Sequence, residues 1–262
     1  GNQVLNRIYI NKGELRFEDI TASSGINKGK NWSNGVVVVD INNDGWEDIY
    51  VSQGGPYSSE RRSNLLFVNN QDLTFSEKAQ EYGLADKSIS TQSAFFDYDK
   101  DGDLDCIVMN ESPLFGYDPE SLMGILAKND SLLYQSSSHI YENIDGKFYD
   151  RTVEAGLLSP IFGLGLTITD FNEDLYPDIY IASDYYLPDV MYINQGDGTF
   201  ANEIKSRTKQ ISFYGMGVDI ADVDNDMRQD IFVLDMATSD NYKSKTLMAS
   251  MAIKEHVNHT KG

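Results

Sequence analysis

An acidic nonapeptide that recurs along the chain is the feature that most constrains the fold. The stretch DYDKDGDLD, residues 97–105, places an aspartate at every second position. Carboxylates held this close repel one another unless a cation lies between them. Calcium accepts six to eight oxygen ligands, which a short loop supplies from alternate side chains and a backbone carbonyl. The stretch therefore predicts a calcium loop, although a solvated acidic turn is an equal alternative for one isolated copy.

Three further copies favour the calcium site over chance acidic turns. Positions 1, 3, 5 and 9 carry a side-chain oxygen in every copy, and position 7 is expected to offer its main-chain oxygen. The predicted ligands are Asp40, Asn42, Asp44, Trp46 and Asp48 in loop one; Asp97, Asp99, Asp101, Asp103 and Asp105 in loop two; Asp170, Asn172, Asp174, Tyr176 and Asp178 in loop three; and Asp222, Asp224, Asp226, Arg228 and Asp230 in loop four. We expect up to four calcium ions, with loops 40–48 and 97–105 as the best candidates.

The four loops are not expected to bind calcium equally. Loop two combines four ligand carboxylates with Gly102 at position 6, where a sharp turn favours positive φ, and should bind best. Leu175 and Met227 replace that glycine in loops three and four, at a cost of about 1 kcal/mol or more. Loop three also has Pro177 and an asparagine ligand, so we expect it to bind most weakly, with loop four intermediate.

The segments beside the loops predict strands, and this excludes an EF-hand. An EF-hand requires a glutamate at position 12 and a helix on each side. Position 12 is valine or isoleucine in all four loops. The flanks, such as GVVVVD before loop one and DIYVS after it, are short runs of β-branched, aromatic and aliphatic residues, which are typical of strands.

A hairpin signature completes each repeat. An aromatic–x–Asn sequence lies 27 to 29 residues before each loop and is followed by a turn rich in Gly, Asn and Asp and then by a phenylalanine. Each unit thus offers about four strands, which is the pattern of a β-propeller blade. We predict a single propeller-type domain over 1–262, with repeat units at about 7–55, 64–112, 139–184 and 189–240, an insertion at 113–138 and a C-terminal helix or tail at 241–262.

Segments such as YINQGDGTF and GMGVDIADVDND resemble the FG-GAP, or VCBS, repeats of integrin-α-like propellers, in the versions found in secreted or surface proteins of Bacteroidetes-type bacteria. The resemblance covers roughly residues 4–245. It implies an all-β fold, a β-propeller of four-stranded blades with calcium bound in inter-strand loops, used as an interaction scaffold. Since family members typically close seven blades, it implies a partial propeller of about four blades, with a compact four-bladed ring as the alternative.

Composition narrows the choice of partners and compartment. The net charge of −20 argues against nucleic acid as a partner. The sequence shows neither a transmembrane run nor a signal peptide. We expect a piece of a longer exported protein that works in the periplasm, on the outer-membrane surface or outside the cell, where calcium is abundant. The single cysteine, Cys106, begins an apolar strand and is expected in the core.

Loops between predicted blades are the expected binding surfaces. Aromatic side chains beside carboxylates are suited to glycans, with protein as the other candidate partner; the structural alternative is that these aromatics only fix the loops to the sheets. The candidates are residues 52–64 with Tyr57, Arg61 and Arg62; residues 111–138 with Phe115, Tyr117 and a predicted helix at 120–127; and residues 183–189.

Catalysis is the less favoured interpretation. The only histidines are His139, His256 and His259; none has an adjacent nucleophile motif, and neither HExxH nor GxSxG occurs. A glycan hydrolase or lyase would have to use carboxylates and tyrosines, but the regular carboxylates are assigned to calcium. We therefore expect a non-enzymatic, calcium-stabilised binding or adhesion scaffold. A carbohydrate-active enzyme segment and a purely structural spacer are the alternatives.

Overall fold

The computed structural model describes residues 6–26, 32–56, 58–185, 187–212 and 214–236. In these residues the chain forms short antiparallel strands and a few short helices, so the predicted all-β class is confirmed. The strands are β1 Tyr9–Asn11, β2 Phe17–Asp19, β3 Trp32–Val39, β4 Asp48–Gly54, β5 Leu65–Asn69, β6 Phe75–Glu77, β7 Ile89–Phe96, β8 Asp105–Glu111, β9 His139–Ile144, β10 Lys147–Asp150, β11 Gly163–Thr169, β12 Asp178–Ser183, β13 Val190–Asn194, β14 Phe200–Asn202, β15 Gly215–Ala221 and β16 Asp230–Asp235. The helices are α1 Thr21–Ser24, α2 Ala79–Tyr82, α3 Pro119–Leu126, α4 Asp130–Gln135 and α5 Ile204–Arg207, and a 3₁₀ turn covers Ser59–Arg61.

The strands form three four-stranded sheets and two strand pairs within the described residues. The sheets follow chain order, β3 to β6, β7 to β10 and β11 to β14, while β1–β2 and β15–β16 form the pairs. An acidic loop joins the first two strands of each four-stranded sheet, and an aromatic–x–Asn hairpin supplies the other two. The sheets are therefore offset by half a unit from the repeat units drawn in the sequence, because each loop pairs with the hairpin that follows it.

The chain divides into two compact units. The first comprises 1–110 and 139–155, and the second comprises 111–138 and 156–262. The prediction that all of it belongs to one propeller-type domain stays a prediction, and the predicted helix or tail at 241–262 lies outside the described residues. In the part of the chain that the structure describes, no helix is both long and apolar enough to span a membrane.

The core of the first unit lies between its two four-stranded sheets. Tyr50, Leu66, Leu84 and Cys106 are fully buried there in one apolar cluster. Cys106 is a free, buried thiol, which confirms that it is a core residue. The ring of Tyr50 meets Phe95 edge to face, with centroids 5.7 Å apart. Aromatic and aliphatic side chains from β4, β5, β7 and β8 thus hold the two sheets face to face.

A glycine follows three of the four hairpins and allows a phenylalanine of the next hairpin to approach closely, whereas α5, after the fourth hairpin, ends at Thr208. Gly83 ends α2 with φ +87°, and a Cβ atom there would lie 2.2 Å from the carbonyl oxygen of Phe148. Gly25 beside Phe75, and Gly156 beside the carbonyl of Phe200, show the same contact. A side chain at Gly83 would both strain the backbone and collide with the next hairpin.

The second unit has a similar core and carries the insertion. Tyr180 and Ile193 of the third sheet pack against Val218 and Val233 of the last strand pair. The insertion folds into α3 and α4, and Leu122 of α3 is fully buried. A capping side chain begins each helix, so the local sequence accounts for both. The helix predicted inside the insertion is confirmed.

Candidate metal centres

In loops one, two and three, the last aspartate ties the loop to its sheet, whereas Asp230 of loop four accepts the N–H of Val223 within the loop, at 3.0 Å. Asp105 is 1% exposed, and its two carboxylate oxygens accept the N–H of Tyr98, at 3.0 Å, and the N–H of Asn143, at 2.8 Å. Tyr98 is the second residue of the loop, whereas Asn143 belongs to the hairpin that follows. The same pair of bonds is made by Asp48 to Ile41 and Asn69, and by Asp178 to Phe171 and Asn194. In these three loops, position 9 is therefore a buried clamp between loop and hairpin.

The side chains at positions 1, 3 and 5 accept hydrogen bonds from backbone N–H groups further along the same loop. In loop four, Asp222 accepts the N–H groups of Asp226, at 3.1 Å, and Met227, at 2.8 Å. Asp224 accepts the N–H of Asp226, and Asp226 accepts the N–H of Arg228. Loops one and three repeat these bonds residue for residue. The predicted ligands at positions 1, 3 and 5 are thereby gathered at one side of each loop.

Position 6 adopts the left-handed backbone conformation in all four loops. The φ angles are 86° at Gly45, 97° at Gly102, 73° at Leu175 and 72° at Met227. The expectation that this position needs positive φ is confirmed. In loops three and four, a residue with a side chain adopts this conformation, which strains the backbone. Position 4 also has positive φ in every loop, which the sequence did not reveal, at Asn43, Lys100, Glu173 and Asn225.

Replacing Leu175 with glycine is expected to raise the free energy of unfolding by about 1 kcal/mol, because the left-handed conformation then loses its steric cost. The side chain is 75% exposed, so little packing is lost. Denaturant unfolding without calcium is the measurement. The matched control is Gly45→Ala, which should lower stability by a similar amount; a destabilised Leu175→Gly protein would contradict the strain at position 6.

Loop two differs from the others in the freedom of its carboxylate oxygens. Asp97 Oδ1 and Asp103 Oδ1 are buried atoms without a hydrogen-bond partner. In loops one, three and four, the equivalent Oδ1 atom of position 1 accepts the N–H of position 5. In loop two, the position-5 N–H belongs to Asp101 and donates to Asp99 instead. Buried oxygens that lack a donor are available for a cation.

Groups of three carboxylates whose oxygens lie within 4.8 Å of one another occur twice among the described residues. They are Asp97, Asp99 and Asp101 in loop two, and Asp222, Asp224 and Asp226 in loop four. Loops one and three have asparagine at position 3, whose amide oxygen accepts the position-5 N–H and whose amide nitrogen donates to the position-5 carboxylate. The donor sets consist of oxygen throughout, which is the chemistry that calcium and magnesium select.

The crowding of loop two changes the acidity of its carboxyl groups. Burial, followed by the negative charges of Asp101, Asp99 and Asp97, raises the pKa of Asp103 to about 6. Burial above all raises the pKa of Asp105 to about 7, even though two backbone N–H groups favour its charged form. The fold thus gathers more negative charge in this loop than its surroundings neutralise.

The side chain of Asp103 is a candidate ligand that sequence analysis missed. Position 7 was expected to offer only its main-chain oxygen, but the Asp103 carboxylate has a buried free oxygen beside the other acids. The signal in the sequence was the aspartate itself, since position 7 is Trp46, Tyr176 or Arg228 in the other loops. Loop two therefore concentrates five carboxylates rather than four.

Two of the three predicted binding clusters meet in the second unit. Phe115, from the insertion, is 62% exposed, and its ring lies 5.0 Å from that of Tyr185, in edge-to-face contact. Phe162 contacts both rings, and Tyr117 is 47% exposed nearby in sequence. We call Phe115, Tyr117, Phe162 and Tyr185 the aromatic cluster. Phe115, Phe162 and Tyr185 join the insertion to the 183–189 loop by ring contacts, while Phe115 and Tyr117 leave ring surface in solvent.

Carboxyl groups adjoin the aromatic cluster. Asp184 is buried next to Tyr185 and accepts that residue's N–H at 2.7 Å. Burial and the charge of Asp184 raise the pKa of Glu111, which opens the insertion. Tyr185 itself has φ 57°, an uncommon backbone conformation for an aromatic residue. The predicted combination of rings and acids is present, but Tyr186 lies outside the described residues.

The remaining candidate residues either make contacts within the fold or lie outside the described residues. In the 52–64 loop, Arg62 donates to the carbonyl oxygen of Lys87 at 3.4 Å, while Tyr57 lies outside the described residues. His139 is 1% exposed, and its Nδ1 lies 2.5 Å from Asp86 Oδ2. His256 and His259 also lie outside the described residues.

Three sheets built from the same loop and hairpin define the chain as a β-rich repeat protein with acidic loops between paired strands. A family model described as an FG-GAP-like repeat matches residues 1–51 and 170–233, which contain loops one, three and four. The match supports an FG-GAP/VCBS-type repeat protein, and the resemblance seen in the sequence is confirmed over the matched residues.

Two solved structures show a distant resemblance to the chain. The biofilm matrix protein Bap1 of V. cholerae is 15% identical with a TM-score of 0.46; the match covers 80% of this chain and 29% of that protein. Rhamnogalacturonan lyase PL11 of Bacillus licheniformis is 14% identical with a TM-score of 0.42, over 79% of this chain and 41% of that enzyme. The chain spans less than half the length of either protein. No curated protein sequence matches it.

Proposed function

We propose that each acidic loop holds one calcium ion through the side chains at positions 1, 3 and 5 and the main-chain oxygen at position 7. The observation that carries this proposal is the pair of buried, partnerless carboxylate oxygens of Asp97 and Asp103 in loop two. Leaving such groups unpaired is costly, and a hard divalent cation satisfies them. The positive φ at position 6 and the hydrogen bond from the position-6 N–H to the position-1 aspartate occur in all four loops and support the same arrangement in each.

Bound calcium would fasten the strands rather than perform chemistry. The ion would supply the positive charge that the gathered carboxylates lack and would hold the loop closed between two strands. The position-9 aspartate then connects that closed loop to the hairpin through its two backbone hydrogen bonds. Each sheet so fastened corresponds to one blade of a calcium-stabilised β-propeller.

Replacing Asp101 with alanine is expected to weaken the tightest calcium site by at least about tenfold, because loop two loses one of its carboxylates. Asp101 is exposed and accepts one hydrogen bond, from Asp103, so the fold should survive. Calorimetric calcium titration, with circular dichroism as a check on folding, is the measurement. Asp174→Ala in loop three is the matched control and should leave the tightest site intact. An unchanged tightest site in Asp101→Ala would overturn the ranking of the loops.

We further propose that the protein is a non-enzymatic scaffold that binds a glycan outside the cell through the aromatic cluster, with a protein ligand as the other outcome. The support is the exposed ring of Phe115 beside Tyr185, with Glu111 and Asp184 adjoining. Aromatic faces supply large contact area at low entropic cost, and carboxylates orient hydroxyl groups by hydrogen bonds. Millimolar calcium outside the cell suits loops of this kind.

On a glycan array, the chain is expected to bind a subset of sugars in calcium, and Phe115→Ala is expected to lower that affinity by about tenfold or more, because truncating an aromatic anchor costs at least about 1.4 kcal/mol. Tyr149→Ala is the matched control, since Tyr149 is 42% exposed on β10 of the first unit. Equal loss in both variants, or no glycan bound at all, would reject the cluster as a glycan site. Products released from the sugars would instead indicate an enzyme.

A further inference from the structure

The two strand pairs correspond to the two halves of one four-stranded sheet. β15 and β16 flank loop four as β3 and β4 flank loop one, and β1–β2 is an aromatic–x–Asn hairpin like β5–β6. Among the described residues, neither pair is hydrogen-bonded to a further strand. One pair therefore supplies the first and second strands of a sheet, and the other supplies the third and fourth.

Side chains that are buried in the complete sheets are exposed in these pairs. Tyr9 is 52% exposed, while the matching Phe67 is 1% exposed. Phe232 is 66% exposed, while the matching Tyr50 is fully buried. Phe17 is 59% exposed, and its equivalents Phe75, Phe148 and Phe200 are 3–7% exposed. The exposed rings occupy positions that the repeat elsewhere covers, so each pair presents an unsatisfied interface.

An apolar groove lies beside β1 in the first unit. It has a volume of about 610 Å³ and is lined by Ile8 and Ile10 and by side chains of β3 and β4. Val36 and Val38 of β3 face it and are 64% and 60% exposed. The side of the first sheet that looks onto the groove is the side opposite the second sheet.

The contact between the first and second sheets shows what the groove should receive. There, the second strand of the first sheet offers Tyr50, which meets Phe95 edge to face at 5.7 Å. Two residues further on, Ser52 Oγ lies 2.9 Å from Ser93 Oγ. A contact between two aromatic rings and a hydrogen bond between two serines thus join the second strand of one sheet to the first strand of the next.

The two open surfaces carry matching chemistry at those positions. Counted from the acidic loops, Phe232 and Leu234 of β16 take the places of Tyr50 and Ser52. By the same count, Val38 and Val36 take the places of Phe95 and Ser93. Where the first two sheets have a pair of serines, the open surfaces have a leucine and a valine, so both residues at this position are apolar. The matching favours a β15–β16 pair as the occupant of the groove.

We propose that the β15–β16 pair of one copy of this chain occupies the groove of a second copy and pairs with its β1–β2 hairpin. The resulting sheet has the order β15–β16–β1–β2. The register of the complete sheets, in which Ile49 lies opposite Phe67, places Ile231 opposite Tyr9. Asp230 then accepts the N–H of Asn11, as Asp48 accepts that of Asn69. The contact is heterologous, so it joins copies head to tail into rings or filaments.

Disulfide trapping tests the register directly. Val36→Cys protein mixed with Leu234→Cys protein should give a disulfide-linked dimer under mild oxidation, because the matching serine oxygens lie 2.9 Å apart. Cys106 is buried and should stay reduced. Leu234→Cys mixed with Val153→Cys is the matched control, since Val153 is 59% exposed outside the groove. Equal cross-linking in both mixtures, or none in the first, would overturn the proposal.

Complementation tests the head-to-tail geometry. Phe232→Glu destroys the inserted face and keeps the groove, while Val38→Glu does the reverse; both side chains are exposed, so the monomers should fold. By analytical ultracentrifugation in calcium, the wild-type chain should self-associate, each variant alone should be monomeric, and their mixture should form a 1:1 dimer. Circular dichroism checks folding. A monomeric wild-type chain, or a mixture that stays monomeric while both variants are folded, would overturn the proposal.

Discussion

Replacing Asp105 with alanine is expected to lower the free energy of unfolding by about 2–6 kcal/mol. The substitution leaves the N–H groups of Tyr98 and Asn143 without their acceptor, and each buried unpaired N–H costs about 1–3 kcal/mol. Because one of these groups belongs to the loop and the other to the hairpin, their loss removes the side-chain link between loop and hairpin and leaves only the β8–β9 ladder to join the two halves of the second sheet. Denaturant unfolding monitored by circular dichroism is the measurement.

Two further variants separate this structural role from calcium binding. Asp105→Asn keeps one carbonyl acceptor and should lose about half as much stability as the alanine variant. Asp101→Ala, in the same loop, should lose little stability in the absence of calcium, since its side chain accepts one exposed hydrogen bond. If Asp105→Ala were no less stable than Asp101→Ala in calcium-free buffer, position 9 would not be the clamp that its contacts indicate.

Replacing His139 with alanine is expected to cost about 3–5 kcal/mol, because it leaves a carboxylate buried without its partner. Asp86 is 6% exposed; its Oδ2 lies 2.5 Å from His139 Nδ1 and also accepts the hydroxyl of Tyr141 at 2.9 Å. The double variant Asp86→Asn with His139→Ala removes the charge as well and should recover part of the loss. A His139→Ala protein within about 0.5 kcal/mol of wild type would contradict this role.

The same pair predicts opposite pH dependences in wild type and variant. Burial alone would raise the pKa of Asp86, but the positive charge and hydrogen bond of His139 outweigh it and lower the pKa to about 2. The folded state then binds fewer protons than the unfolded state, whose aspartate pKa is about 3.9, so this stabilisation is complete above about pH 4 and is lost toward about pH 2. Without His139, burial dominates and the pKa rises, so the variant should lose stability as the pH rises above about 4.

Local features of the sequence were sufficient to predict the loops and hairpins. Aspartates at alternate positions and a glycine at position 6 specify a turn whose backbone bonds close within nine residues, as loop one shows. The Tyr–x–Asn and Phe signals fix a hairpin over ten residues in the same way. Interactions of such short range depend on adjacent residues only, which is why four copies could be recognised without the structure.

The phase of the repeat could not be predicted from the sequence. A periodic sequence can be divided at any point, and the hairpin–loop division was as regular as the loop–hairpin division. The bonds from Asp105 to Asn143, and from Asp48 to Asn69, decide it, because they join each loop to the hairpin that follows. Only three-dimensional contacts carry that information.

Contacts between distant residues were equally inaccessible. Asp86 and His139 are 53 residues apart and meet in the core, whereas His139 looked in the sequence like an ordinary strand residue. In the sequence, Phe115 and Tyr185 belong to two separate candidate loops, whereas in the structure their ring centroids lie 5.0 Å apart. No local pattern encodes such pairings, since they depend on how the sheets and the insertion pack.

Calcium binding by the acidic loops is tested most directly by counting the ions that one chain holds. The chelator-treated chain would be dialysed against radioactive calcium at millimolar concentration, with the quadruple variant Asp40→Ala, Asp97→Ala, Asp170→Ala and Asp222→Ala as control. We expect saturable binding that approaches four ions per wild-type chain, is filled first at loop two, and is absent in the variant. A wild-type chain that binds no more calcium than the folded variant would contradict the assignment of these loops as metal centres.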